Sequence, residues 1–309
     1  MEIEIILHQM LQFFIVMFLG YLLFKVKLLD HDFIKKLTKF LLNVTLPATI
    51  FSSVLEAGSE RDTGAVAEVF LIGLAVYIVL PVLSLAVVKL MRLPRQDRGL
   101  YAFMMTYSNI GFMGFPLMEA LFGHTAVFYA AIVNVLFNIS VFTCGVVMMN
   151  AGKGGGSGAG LKWKNLLSPG ISMSVLAIVV YFLNLDFPQD IRSVVSSVGA
   201  ITTPLAMILI GANLAAMNLK SIFNDWHVYV YSVVKQAVLP LLLWPVLKLC
   251  VPDEFILNII YILILMPVAN TSVLFATEFG GNEHLAAKTV FITTVMSIVT
   301  VPLLLMVSV

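Results

Sequence analysis

The sequence is poor in charge. Only 11% of its 309 residues are charged, whereas 60% are hydrophobic and the mean hydropathy is +1.01. A soluble globular domain carries about 25% charged residues, so this composition excludes one and predicts an integral membrane protein surrounded by lipid. The formal net charge of +1 shows no basic excess, and no nucleic-acid partner is expected.

Chemically reactive motifs are also scarce. Cys144 and Cys250 both lie in apolar runs, where two small buried hydrophobic residues fit better than a disulfide or a metal pair. Five histidines lie near the ends of apolar runs without ligand spacing, so no metal site is predicted: His8, His31, His124, His227 and His284. Without a GxxxxGK[ST] motif or a nucleophile–base pair at one depth, the sequence favours neither ATP hydrolysis nor an enzyme, and no cofactor is expected.

Long apolar runs fill the chain. A membrane-spanning helix needs about 20 mostly apolar residues. The sequence predicts ten spans, at residues 3–24, 37–55, 66–90, 100–122, 125–149, 165–185, 191–217, 226–250, 255–279 and 285–309. A glycine-rich stretch, AGKGGGSGAG, is typical of a flexible linker and divides the spans five to five. We therefore expect a five-helix unit over 1–150, a linker over 151–164 and a second five-helix unit over 165–309.

The two halves share a sequence pattern. Residues 79–90 read VLPVLSLAVVKL and residues 238–249 read VLPLLLWPVLKL, with seven of twelve positions identical. Because each half crosses the membrane an odd number of times, the second copy is expected to be inverted. Inverted repeats are typical of secondary transporters, whose substrate site lies between the copies near the membrane midplane.

The basic residues predict the orientation. Fourteen lysines and arginines fall in connections on one side of the ten spans, and three, Arg61, Arg192 and Lys248, on the other. Basic residues concentrate on the cytoplasmic side. The linker is therefore expected inside, with both termini outside the cytoplasm, in a multi-pass protein of the cell membrane.

Two spans carry polar and helix-breaking residues at their centres. The fourth has Ser108, Asn109, Gly111, Gly114 and Pro116, and proline lacks the N–H that a helix interior requires. The ninth shows a matching set: Pro267, Asn270, Thr271 and Ser272. Freed backbone groups survive in a membrane only where they face protein or a watery cavity.

Two such breaks in inverted copies would meet at the molecular centre. Helix N-termini there expose N–H groups and partial positive charge, which suits a carboxylate, and Asn109 and Asn270 would add amide donors. The alternative is that the prolines only kink two helices while the asparagines tie helix to helix. A symmetric pair of breaks favours the binding site.

Other polar residues leave alternatives open. Lys235 is either a counter-ion within the membrane or a side chain that extends to the cytoplasmic interface. Asn43 and Thr45 either line the cavity or bond neighbouring helices, as do Thr202 and Thr203. Two carboxylates near the ends of the broken helices are gates, proton acceptors or solvated helix-end groups: Glu119 and Glu278.

Three segments resemble a known family. They are LLNVTLPATIF at residues 41–51, SNIGFMGFP at 108–116 and MPVANTSVLFATEFGG at 266–281. They are similar to the auxin efflux carrier family, which includes bacterial malate and malonate permeases and is related to the plant PIN carriers. The short linker makes a bacterial permease the closer analogue.

The resemblance implies an all-α integral membrane fold of ten transmembrane helices in two inverted five-helix repeats. Broken helices 4 and 9 would cross near the midplane, with Asn109, Pro116, Pro267 and Asn270 on the family's motif. It also implies an elevator motion of helices 3–5 and 8–10 against scaffold helices 1, 2, 6 and 7, often within a homodimer.

The expected function is secondary transport of a small organic anion, such as malate, malonate or an auxin-like carboxylate, with a proton or sodium ion as coupling ion. One alternative is a sodium-coupled symporter of the bile-acid type, although the breaks hold amides and hydroxyls without a nearby Asp. An alternative of another class is a membrane-embedded ligand sensor, which usually carries a signalling domain.

Overall fold

The structure is a computed structural model that describes residues 3–56, 63–150, 169–216 and 225–308. The predicted linker at 151–164 and Arg61 lie outside these ranges. The described chain is almost wholly helical. Its α-helices are α1 (Ile3–Lys25), α2 (His31–Phe40), α3 (Leu46–Glu56), α4 (Thr63–Leu90), α5 (Arg98–Thr106), α6 (Phe115–Ser140), α7 (Val146–Asn150), α8 (Pro169–Leu183), α9 (Gln189–Gly199), α10 (Thr202–Ala216), α11 (Trp226–Val233), α12 (Leu239–Cys250), α13 (Glu254–Leu265), α14 (Thr271–Glu278) and α15 (Glu283–Ser308).

Short π-helical segments join several of these helices, and three of them precede a proline by the same distance. Leu41–Thr45, Ile110–Gly114 and Val234–Val238 end two residues before a proline. Those prolines are Pro47, Pro116 and Pro240. A proline ring clashes with the carbonyl one turn earlier and offers no N–H, and a π-segment widens that turn. The helices therefore continue through these prolines.

The outer surface of the helices suits lipid. Within the described residues, six helical runs are long and apolar enough to cross a membrane, and they join shorter apolar helices such as α8 and α13. Large apolar side chains such as Leu71 and Val82 on α4 and Leu242 and Val246 on α12 are more than half exposed. Apolar area of this extent is not tolerated in water. The chain is a multi-pass membrane protein.

Two short helices lie at the centre. Every residue of α5 from Gly99 to Thr106 is buried, and so is α13 from Ile256 to Leu265 except for Asn258. Both helices end abruptly, and extended backbone follows each of them. Farther along the chain, α6 turns at Gly123. Its φ of 74° and ψ of −167° form a conformation that glycine adopts more readily than other residues.

The helices pack in two groups. In the first, α1 lies against α10, and α3 lies against α8 and α9. Gly20 and Gly211 allow the close approach of α1 and α10, because a Cβ at Gly211 would lie 1.8 Å from the Met17 carbonyl oxygen. In the second, α4 packs on α5 and α6, α12 packs on α13, and α15 packs on α11 and α14. The groups touch mainly where α6 meets α3 and α8.

Candidate functional site: the crossing of two broken helices

The two interrupted helices meet and pair through their backbones. The first limb, residues 107–109, follows α5, and the second limb, residues 266–270, follows α13. Ser108 and Val268 form an antiparallel bridge. The Asn109 N–H donates to the Pro267 carbonyl at 2.8 Å, and the Ala269 N–H donates to the Tyr107 carbonyl at 3.2 Å. Each limb thus satisfies backbone groups that the other leaves without helical partners.

Local sequence explains both breaks. Met266 precedes Pro267 and has an extended ψ of 145°, because a residue before proline disfavours the helical conformation. In the first limb, Asn109 ends the extended stretch, and its side-chain oxygen accepts a hydrogen bond from the Phe112 N–H at 3.3 Å. This is an asparagine N-cap, which begins the helical segment that leads into α6.

Lys235 anchors the crossing. It lies in the π-segment Val234–Val238, between α11 and α12. Its side chain has no exposed surface, and its Nζ donates to Ser108 Oγ at 2.8 Å and to the Ile264 carbonyl at 3.1 Å. Ile264 lies in the last turn of α13, where helix carbonyls lack partners and carry partial negative charge. The structure therefore places this amine inside the protein and not at a membrane face.

The second limb is also held from α15. Thr293 accepts a hydrogen bond at Oγ1 from the Val268 N–H at 3.2 Å, and its carbonyl accepts from Gln236 Nε2 at 3.1 Å. Gln236 follows Lys235 in the chain and is also fully buried. Neighbouring residues of one π-segment thus fix both limbs.

Hydroxyl groups without partners follow the second limb. Thr271 Oγ1 and Ser272 Oγ are buried and make no hydrogen bond within the described part of the chain. Asn270 makes no side-chain capping bond. Buried hydroxyls normally find a partner, and these two lie at the N-terminus of α14, where N–H groups and the helix dipole favour an anion.

Open space lies beside the first limb. A Cβ built on Gly111 would meet one atom within 4 Å, Leu46 Cδ2 at 4.0 Å. Gly111, Asn270 and Thr271 are all partly exposed. A separate cavity of about 10 Å³, lined by Thr106, Ser108 and Ile264, has room for roughly one water molecule. A cavity of this size does not hold a carboxylate with several heavy atoms.

The other helix-break residues lie after the break. Gly114 belongs to the π-segment, and Pro116 is the second residue of α6. The extended limb precedes both of them by several residues. The π-segment accommodates the proline, so the chain breaks at the N-cap and not at the ring.

Several predicted residues do not reach the crossing. Asn43 is exposed, and its Nδ2 donates back to the Lys39 carbonyl at 2.7 Å. The Thr45 hydroxyl bonds its own helix at Leu41. Thr202 bonds Thr49 at 2.8 Å and so ties α10 to α3. The side chain of Glu278 lies outside the described part of the structure.

Glu119 belongs to a separate ionisable cluster. Its Oε2 accepts from Thr203 Oγ1 at 3.1 Å, and its Oε1 lies 4.0 Å from His124 Nδ1. On its other side, His124 Nε2 lies 2.6 Å from Glu56 Oε2. Sequence reasoning missed His124 and Glu56, because no spacing in the chain links residues 68 positions apart.

The crossing has positive character. Among the described side chains, no carboxylate forms an ion pair with Lys235. Two helical segments also begin directly after the limbs, so their partly positive N-terminal ends lie at the crossing. A protonated amine at this position would have no fixed counter-ion among the described side chains, so a mobile anion would stabilise it.

A family model described as "Membrane transport protein" matches residues 5–305. The chain belongs to this family. It is the auxin efflux carrier family that the sequence motifs resemble. The protein is therefore a membrane transporter by family membership. The matched residues include both broken helices.

Curated relatives span the same length. The chain is 27% identical over 300 residues to a Rhizobium meliloti (strain 1021) protein named "Putative malonate transporter", covering 94% of this chain and 92% of that protein. It is 22% identical over 309 residues to the "Uncharacterized transporter YfdV" of Escherichia coli (strain K12), covering 97% and 96% respectively. The YfdV protein of Shigella flexneri matches equally.

Proposed function

We propose that this protein is a secondary transporter of a small organic anion, a mono- or dicarboxylate such as malate, malonate or an auxin-like acid. The observation that carries the proposal is the buried amine of Lys235, which bonds the crossing and has no carboxylate partner among the described side chains. When this amine is protonated, its charge attracts an anion through the protein interior without contacting it. The similarity to a protein named for malonate supports the same class of solute.

The groups without partners beside the crossing support a position for the anion. The hydroxyls of Thr271 and Ser272 would donate to a carboxylate, and the amide of Asn270 adds a donor. Gly111 leaves the adjoining space open toward Leu46 on α3. The proposed site therefore lies between the crossing and α3.

We further propose that the chain crosses the membrane ten times as two inverted five-helix units and works by an elevator motion. The packing supports the division, because α1, α3, α8, α9 and α10 form one group and the helices around the crossing form the other. In this scheme the first group is the scaffold, and the second carries the anion. The distribution of basic residues supports termini outside the cytoplasm, in the cell membrane. A homodimer is proposed on the family resemblance.

Sodium coupling is the less favoured version of this function. Broken-helix transporters coordinate sodium with carbonyls at half-helix C-termini. Here the Ile264 carbonyl and the Ser108 hydroxyl already accept hydrogen bonds from the Lys235 amine. The amine of Lys235 thus occupies these oxygens, and we propose that transport does not require sodium.

The test is uptake of radiolabelled solutes by purified protein in proteoliposomes. We expect malonate, malate or a monocarboxylate to accumulate, with the same rate in sodium and in potassium buffers at equal pH. Neutral amides of the same acids serve as matched controls and should not be carried. Uptake of the amides, or of no carboxylate in the panel, would contradict the proposal; a rate that depends on sodium would contradict only the coupling.

A further inference from the structure

A histidine lies between two carboxylates, away from the crossing. His124 on α6 contacts Glu56, the last residue of α3, through Nε2, and faces Glu119 through Nδ1. Ser52 Oγ donates to Glu56 Oε1 at 3.1 Å, and Thr203 Oγ1 donates to Glu119 Oε2 at 3.1 Å. The side chains of His124, Glu56 and Glu119 are 35%, 31% and 24% exposed, so none of the three is sealed in the protein interior.

The Nδ1 side of this cluster lacks one proton. With Nε2 donating to Glu56, a neutral imidazole presents a lone pair at Nδ1. That atom is buried and has no hydrogen-bond partner within the described residues, and it lies 4.0 Å from a carboxylate oxygen. Two acceptors thus face each other. One added proton, on either group, supplies the missing donor and lowers the cluster's negative charge by one.

The cluster also joins the two packing groups. His124 and Glu119 lie on α6, whereas Glu56 lies on α3 and Thr203 on α10. Under the elevator motion proposed above, α6 moves and α3 and α10 remain in place. Both the His124–Glu56 and the Thr203–Glu119 contacts must break in each cycle.

Other charged groups nearby are engaged elsewhere or belong to other contacts. Arg192 on α9 donates to the Leu55 carbonyl and pairs with Asp186. At the start of α13, Asp253 caps its own helix by accepting from the Ile256 N–H. The further acidic side chains on described elements packed on α6 or α3 are Glu68 on α4, Asp190 on α9 and Glu254 on α13.

We propose that Glu56, His124 and Glu119 form a proton-binding latch between α6 and the helices α3 and α10. A bound proton completes the hydrogen bonds and favours the arrangement seen here. Its release leaves two acceptors in opposition and favours separation of the two groups. The latch rests on the proposed division into scaffold and moving helices, but not on the identity of the solute.

The test is a distance measurement that needs no solute. Spin labels are attached to cysteines introduced at Val194 on α9 and Val299 on α15, both exposed, after Cys144 and Cys250 are replaced by serine. Pulsed electron–electron double resonance then measures the distance distribution from about pH 5 to 8, the range in which histidine ordinarily changes charge. We expect the ratio of two distance populations to change at least about fivefold, the low end of typical coupling between sites.

Three variants make the outcome decisive. His124→Gln keeps a donor for Glu56 but presents no imidazole nitrogen to Glu119, so the pH response should disappear. Glu119→Gln supplies an N–H to Nδ1 permanently and should hold the low-pH population at every pH. His227→Gln is the matched control, because His227 also pairs with a carboxylate, Asp225, but on its own helix start; its response should equal that of the parent.

A parent protein whose distances do not respond to pH, or a response retained in His124→Gln, would overturn the latch. Failure of the proposed function is recognised separately, since it appears as absent carboxylate uptake in the proteoliposome panel whatever the distances show.

Discussion

The two limbs of the crossing have the same plan but different surroundings. The first is closed on itself: the Tyr107 hydroxyl bonds Ser140, Ser108 accepts from Lys235, and Asn109 caps its own helix. The second leads to Thr271 and Ser272, whose hydroxyls have no partner in the described structure. The difference indicates a division of labour, in which the first limb is a frame and the second presents groups to the solute.

The largest effect is expected from removing the charge behind the frame. Lys235→Gln keeps a donor for Ile264 but removes a cation. Two unit charges about 8 Å apart at an effective dielectric of about 20 interact by about 2 kcal/mol, roughly thirtyfold in affinity. The KM for malonate uptake should rise by about that factor, as measured in proteoliposomes.

Lys248→Gln is the matched control for this change. Lys248 lies on the same predicted span, in the last turn of α12 beside the Trp244 ring. Its removal should leave KM unchanged. Equal effects of the two variants, or an unchanged KM in Lys235→Gln, would refute an electrostatic role at the crossing.

A matched pair of threonines sharpens the contrast between the limbs. Thr271→Val removes a hydroxyl without a partner, so KM should rise about tenfold if that group bonds a carboxylate, while Tm stays level or rises slightly. Thr106→Val removes a hydroxyl that bonds Ser84 at 2.9 Å and the Ala102 carbonyl, so Tm should fall with KM unchanged. Uptake kinetics and thermal unfolding in detergent measure both; the reverse pattern would exchange the roles of the limbs.

The two asparagines should differ in a smaller way. Alanine at either position is expected to weaken uptake about threefold to fivefold, at Asn270 through loss of a hydrogen bond to the solute and at Asn109 through disturbance of the first limb. Asn109→Ala should also destabilise the protein by about 1 kcal/mol, the usual cost of an N-cap. The Asn270 side chain makes no capping bond, so the Asn270→Ala variant should unfold at the parental temperature. Wild-type uptake by both variants would remove them from the site.

Much of the helical fold could be predicted from the sequence, but the contacts between distant residues could not. Apolar run length predicted a membrane protein of many helices, and the polar residues around Asn109 and Pro267 indicated two breaks. The first break lies before the glycines and Pro116 because a π-segment absorbs the proline. The N-cap signal of Asn109, followed by a helical run, could have placed it.

Long-range contacts explain the remaining gaps. Lys235 bonds Ser108 across 127 positions of the chain, so composition could mark it as unusual but not show what it touches. Asn43 lies shortly before Pro47, in a segment considered as a cavity lining. Its position on the helix turns it outward instead. His124 follows the turn at Gly123 and meets Glu56 68 positions away, and the histidines carry no spacing that indicates this contact.

The most direct measurement is to locate a bound anion. A brominated dicarboxylate that inhibits malonate uptake can be found in crystals by the anomalous scattering of bromine. The account predicts a carboxylate oxygen within about 2.7–3.0 Å of Thr271 Oγ1 or Ser272 Oγ, on the Gly111 side of the crossing. Full occupancy elsewhere, with both hydroxyls left unpaired, would contradict it.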